Sequence, residues 1–167
     1  QLDSHDTARF ITLLKGDYDK MRQAGLLLMT YIGVPCLYYG TEVGLEGEND
    51  PDNRRTFPWE RVEHSQWVPF FKKMLALRHK YKALQSGDLH FFENQNEQLA
   101  FARSFGDEQL VALFNNSDKP SEFRVQVWQL GLESGSAESV LSEEHVSIEK
   151  GELVVTLSGK GCDLIKL

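Results

Sequence analysis

The chain opens on a run dense in titratable side chains, Asp3-Ser4-His5-Asp6-Thr7-Ala8-Arg9. Three titratable side-chain types fall within seven residues, just ahead of a helical pattern. Spacing alone leaves two readings open. The run can form part of a reactive or binding site, or Asp3, Ser4 and Thr7 can cap the helix by accepting hydrogen bonds from its free N–H groups. A second polar set lies in Thr41–His64, which holds Gly44, Gly47, Asn49, Asp50, Pro51, Asp52, Asn53, Arg54 and Arg55. A connection after a strand in an α/β unit usually takes about 2–6 residues, and much longer ones are commonly functional. In such a loop the Asp50 carboxylate and the Arg54 guanidinium suit fixed recognition of hydroxyl groups. The plainer alternative is a solvent-exposed ion pair worth about 0–1 kcal/mol.

The elements that must position these groups change character near Ser86-Gly87. Before that point, a helix is expected over Asp17–Ile32. Gly16-Asp17 supplies a stop and an N-cap oxygen, and Met21, Ala24, Leu28 and Tyr31 recur at helical spacing. Leu26, Leu27 and Met29 make it apolar almost all round, and Gly33 is placed to end it. Val34–Tyr39 then reads as a short strand buried on both faces, as in a parallel sheet. A second helix is expected over Ser65–Ala83, with Trp67, Phe70, Phe71, Met74, Leu75, Arg78 and Tyr81 on one face and Pro69 in its first turn. After Gly87 the pattern turns to short alternating strands. They cover Leu99–Arg103, Leu110–Phe114, Phe123–Val127, Ser139–Leu141, Leu153–Leu157 and Cys162–Leu167, as in an antiparallel sandwich.

Length and charge bound the reading. With 167 residues the chain is too short for a complete (β/α)8 barrel, which needs about 200 or more. Yet a strand buried on both sides needs neighbours that the chain does not supply. Its 18 basic and 25 acidic residues give a net charge of −7, which argues against a nucleic-acid or membrane-surface partner. No stretch approaches the roughly 20 apolar residues of a membrane span. Cys36 and Cys162 make no disulfide framework and are expected as buried free thiols. No Cys or His spacing resembles a zinc site, and no cofactor or metal motif is visible. His64, His79, His90 and His145 lack partner spacing and stay unassigned.

The blocks taken together are more specific than any one of them. Asp3-Ser-His-Asp-Thr-x-Arg9 is followed by Gly33-Val-Pro-Cys-Leu-Tyr-Tyr-Gly40-Thr-Glu42-Val-Gly44, Gly47-Glu-Asn-Asp50-Pro51-Asp52-Asn53-Arg54-Arg55 and Phe57-Pro58-Trp59. This series resembles the α-amylase family of glycoside hydrolases. The Asp-Pro-Asp-Asn-Arg-Arg block is most similar to the cyclomaltodextrinase, neopullulanase and maltogenic amylase group. The resemblance implies an α/β plus all-β chain. Residues 1–85 would be the last part of the catalytic barrel: the end of strand seven, helix seven, strand eight and helix eight. Residues 86–167 would be a C-terminal antiparallel β-sandwich, opening with Leu110-Val-Ala-Leu-Phe-Asn-Asn116. Active sites of such barrels lie at the C-terminal ends of the strands, where the opening run and the Thr41–His64 loop would both fall.

In that family a carboxylate nucleophile and a general acid lie on earlier barrel strands, outside these residues. The resemblance assigns Asp6 as the third carboxylate, the transition-state stabiliser that binds sugar hydroxyls. It assigns His5, Asp50 and Arg54 to substrate binding. Tyr38, Tyr39 and Trp59 are expected to pack rather than stack on sugar, Trp128 to sit in the core or at its rim on an alternating strand, and Glu42 to be non-catalytic. The expected partners are α-glucan oligosaccharides and the rest of a parent barrel, with exposed apolar surface favouring homo-oligomers or domain swapping. The chain begins at Gln1 rather than Met and shows no signal-peptide pattern; the expectation is a segment of a longer cytoplasmic enzyme, inactive alone. Two rival readings are a catalytically silent amylase-like interaction subunit and a non-catalytic glucan-binding module.

Overall fold

A computed structural model describes residues 1–167. The chain divides into two compact units, Gln1–Lys80 and Tyr81–Leu167.

The first unit is built on helices. After a single turn, α1 (Phe10–Leu13), comes α2 (Tyr18–Thr30). The Asp17 side chain caps α2, accepting from the Lys20 N–H at 3.1 Å, as its place after Gly16 suggests. Met21, Leu26 and Met29 are buried, and Gly25 lets α3 (Trp67–Lys80) approach closely. A Cβ at position 25 would lie 2.7 Å from the Phe70 ring. Ser65 Oγ accepts from the Trp67 N–H at 3.1 Å at the start of α3. The buried Arg78 then donates to the carbonyls of Met29 at 2.7 Å and Gly33 at 2.5 Å. The first is an orphan acceptor in the last turn of α2, and the second lies just beyond it. Burial holds the Arg78 pKa below its ordinary value.

Three expectations change here. The helix expected to run to Ala83 stops at Lys80, because Tyr81 is extended (φ −102°, ψ 116°) and starts the short α4 (Lys82–Ser86). Val34–Tyr39 forms no strand ladder, and Val34 is 93% exposed. Its composition suits a central strand, but no neighbouring strand lies alongside it to pair with its N–H and C=O groups. Cys36 is exposed and Cys162 half-buried, both as free thiols, which corrects the expectation that they are buried. Leu13, Ile32 and Trp59 are also exposed apolar groups of this unit.

The second unit is a single antiparallel sheet that curls around one core. Its strands are β1 (Asp88–Phe91), β2 (Gln98–Phe105), β3 (Glu108–Asn115), β4 (Ser121–Val125), β5 (Gly135–Ser139), β6 (His145–Glu149), β7 (Glu152–Leu157) and β8 (Cys162–Lys166). Their order across the sheet is β1-β2-β3-β8-β5-β6-β7-β4. Ala100 and Ala102 of β2 share a cluster with Phe123 and Val125 of β4, although the two strands lie far apart in the ladder order. The two layers expected of a sandwich are thus two parts of one hydrogen-bonded sheet, its inner face made by period-2 alternation. The other face of β2 and β3 is buried too, with Ala83 and Leu84 of α4 also in the core. Arg103, itself buried, donates to the Gly87 carbonyl at 2.9 Å. A Cβ at Gly87 would lie 2.5 Å from the Ala83 carbonyl oxygen, so only glycine fits this turn. β1 and β6, each only four or five residues long, were not expected from the sequence. No helix of the chain is long and apolar enough to cross a membrane.

Candidate functional site

In the opening run, the capping and reactive readings fall on different residues. Asp3 is buried and structural: Oδ2 accepts from the Phe10 N–H at 3.1 Å and Oδ1 from the Thr41 hydroxyl at 2.7 Å. Ser4 Oγ accepts from the Asp6 N–H at 3.1 Å, and Thr7 Oγ1 accepts from the Ser4 N–H at 3.1 Å, closing a tight local turn. The side chains left over are His5 and Asp6. They point out of this turn, 63% and 73% exposed, with His5 Nε2 lying 3.3 Å from Asp6 Oδ2.

The long loop meets this turn through a buried amide. Asn53 is fully buried, and its Nδ2 donates to the carbonyls of Thr7 at 2.8 Å and His5 at 2.9 Å, with Ser4 at 3.4 Å. Next to it, Arg54 Nε reaches Asp50 Oδ1 at 2.9 Å and the His5 carbonyl at 3.3 Å. The structure therefore brings His5, Asp6, Asp50 and Arg54 into one exposed region, bound together through the His5 carbonyl.

Beneath that region lies Arg9, fully buried. Its Nε donates to the Asn53 carbonyl and its Nη1 to the Tyr39 carbonyl, both at 2.7 Å. Its guanidinium lies 4.2 Å from the Tyr38 ring centroid and 4.7 Å from that of Tyr39, within cation–π range. Partial burial and the adjacent Tyr39 hydroxyl raise the Tyr38 pKa, with Arg9 and Arg54 opposing. The Tyr39 hydroxyl donates to the Arg55 carbonyl at 2.8 Å. The Arg55 guanidinium holds Asp52 through two bonds of 2.8 Å, and the hydrogen bond from Arg55 lowers the Asp52 pKa. Gly47 has no room for a side chain, since a Cβ would lie 2.6 Å from the Asp52 carbonyl oxygen.

Sequence reasoning missed Arg9, Asn53 and the Asp52–Arg55 pair as the frame of the site. The bonds of Arg9 and Asn53 run to backbone carbonyls, and the Asp52–Arg55 pair sits in an irregular segment, where no periodicity marks any of them. Trp59, expected to pack, touches Phe57 at a ring separation of 4.6 Å but is 77% exposed. Trp128 lies in a 3₁₀ turn, Val127–Leu130, rather than on an alternating strand, and is 53% exposed.

A frame of this kind presents an imidazole and a carboxylate to solvent beside an exposed Asp50–Arg54 ion pair, an arrangement suited to a ligand rich in hydroxyls. Residues 1–86 match the family model of the α-amylase catalytic domain, and residues 89–163 that of the maltogenic amylase C-terminal domain. The chain belongs to the α-amylase family. It is 36% identical to neopullulanase 2 of Thermoactinomyces vulgaris over 93% of its own length and 27% of that protein's. It is 39% identical to a cyclomaltodextrinase of a Bacillus species, over 69% of its own length and 21% of the relative's. Among solved structures, an α-amylase of Geobacillus thermoleovorans complexed with acarbose superposes with a TM-score of 0.87 at 26% identity, covering 99% of this chain and 37% of that one. The chain thus spans about a quarter of the length of the curated relatives it matches.

Proposed function

We propose that these residues are the C-terminal part of a retaining α-glucan hydrolase that cleaves α-1,4-glucosidic bonds of cyclodextrins, maltodextrins or pullulan. Residues 1–85 end its catalytic barrel and residues 86–167 form its C-terminal domain. The observation that carries the reading is the convergence of His5, Asp6, Asp50 and Arg54 on one buried frame. Retaining hydrolysis needs a carboxylate nucleophile and a general acid, and gains from hydrogen bonds to sugar hydroxyls that strengthen in the transition state. Asp6 supplies such bonds. It sits beside His5, whose ring contacts the same sugar, while the Asp50–Arg54 pair fixes hydroxyls of a sugar further along the substrate. In the family the nucleophile and the acid lie on earlier barrel strands, so the 167 residues alone do not hydrolyse glucan. The apolar groups left exposed, Val34 and Ile32 among them, pack against those earlier elements or, in the isolated chain, against a second copy.

Two measurements test this. The purified chain is expected to leave maltotriose intact, and measurable hydrolysis would overturn the assignment. In the complete enzyme, Arg54→Ala is expected to raise KM for maltoheptaose with little change in kcat, by weakening ground-state and transition-state binding alike. An unchanged KM would remove the binding role of the loop pair.

A further inference from the structure

The second unit carries a feature that the site above does not use. The outward-facing residues of β6, β7 and β4 line a cleft of about 500 Å3, with Trp128 at its side. The indole is exposed, yet its backbone is fixed at both ends. The Trp128 N–H donates to the Gly151 carbonyl at 3.0 Å, and its own carbonyl accepts from Gly131 at 2.9 Å. Gly151 has φ +73°, and a Cβ there would lie 2.6 Å from the Trp128 Cβ. A side chain at position 151 would collide with the tryptophan, so glycine there leaves the indole its room, and the two backbone bonds fix the point from which the ring projects.

The rest of the cleft is polar and charge-balanced. Among the lining residues Arg124 and Lys150 offset Glu149 and Glu152; Arg124 Nη1 lies 3.0 Å from Glu152 Oε2, and its Nε and Nη2 lie 2.8 Å from Glu122 Oε1 beside the cleft. Val154 stands opposite Arg124 in the β4–β7 register and adds an apolar patch. A balanced cleft offers no advantage to a strongly charged ligand. An exposed aromatic face flanked by an amide (Gln126) and carboxylates matches a neutral ligand with an apolar C–H face and vicinal hydroxyls.

We propose that Trp128 and Gln126 form a second carbohydrate-binding site, which takes a glucosyl unit of an α-1,4-glucan against the indole face. The ring-and-hydroxyl chemistry is argued from the cleft; the choice of an α-glucan rests on the proposed function.

The test uses the 167-residue chain and maltoheptaose, followed by calorimetry and by the indole N–H resonances of Trp59, Trp67 and Trp128, assigned with Trp128→Phe. The Trp128 resonance should shift saturably. Trp128→Ala should weaken binding about tenfold, the scale of a lost stacking contact, and Trp128→Phe by less. Gln126→Ala, an exposed substitution that leaves the indole in place, should weaken binding by a smaller factor. A Trp128 resonance indifferent to both maltoheptaose and cellohexaose, or undiminished binding in both Trp128→Ala and Gln126→Ala, would overturn the site. Arg54→Ala should leave the Trp128 shift intact. Binding lost with Arg54→Ala but kept with Trp128→Ala would refute this site while leaving the proposed function standing. A Trp128 shift with cellohexaose but none with maltoheptaose would refute the α-glucan choice.

Discussion

The two units are fastened by different means. In the β unit, ladders satisfy the backbone and apolar side chains fill the interior. The Phe123, Leu153 and Ile165 side chains on the inner face come from strands distant in sequence. In the first unit, the irregular segments after α2 have no ladder. Buried side chains bind carbonyls of this unit instead: Arg9 that of Tyr39, Asn53 that of Thr7 in the opening turn, and Arg78 that of Met29 at the end of α2. The curled sheet closes mainly on its own strands, with α4 and the Arg103–Gly87 bond added at one face. The first unit, with one would-be strand, relies on polar fastenings, and His5 and Asp6 project from them into solvent.

This contrast predicts unequal responses to substitution. The largest is expected from Phe123→Ala, which removes a fully buried ring from the β core and should cost about 3–5 kcal/mol, read as a lowered calorimetric transition. A loss under about 1 kcal/mol would mean that the core is not closed by β4. Asn53→Ala should cost less, about 1–3 kcal/mol for carbonyls left without their donor. Its distinctive effect is local, namely faster amide exchange in residues 4–7, where the Asn53 amide binds. Unchanged exchange there would show that the frame does not depend on this amide.

The smallest effect concerns acid. The Asp52 pKa is lowered in the folded chain, chiefly by its hydrogen bond from Arg55. Its contribution is therefore present above the unfolded carboxylate value, about 3.9, and fades as the pH falls through the folded value. Wild type should melt slightly above Asp52→Asn at neutral pH, and the two should converge in acid. A gap that widens on acidification would contradict the direction of the shift.

How much of this could be read in advance depended on the kind of interaction. The period of Met21, Leu26 and Met29 and the Asp17 cap located α2 because helices have a repeat and a start signal. Leu110–Phe114 and Phe123–Val125 were likewise readable as strands. β1 and β6 were not, because each is only four or five residues long and buries at most one side chain fully, although both alternate polar and apolar residues. The four site residues were found through the order of the motif blocks rather than through periodicity. Their frame stayed hidden because Arg9 and Asn53 bond to backbone, and any residue supplies a carbonyl. Val34–Tyr39 shows the opposite failure: composition fits a buried strand, and no partner strand lies beside it.

The central claim is that Asp6 is held outside the fold's own bonding so that it can bind sugar hydroxyls in the transition state. The most direct measurement is the kcat of Asp6→Asn in the complete enzyme on a maltodextrin. The account predicts a fall of several orders of magnitude, the scale seen when one member of a catalytic unit is removed, with the melting temperature unchanged. A loss smaller than about tenfold in a folded variant would contradict it.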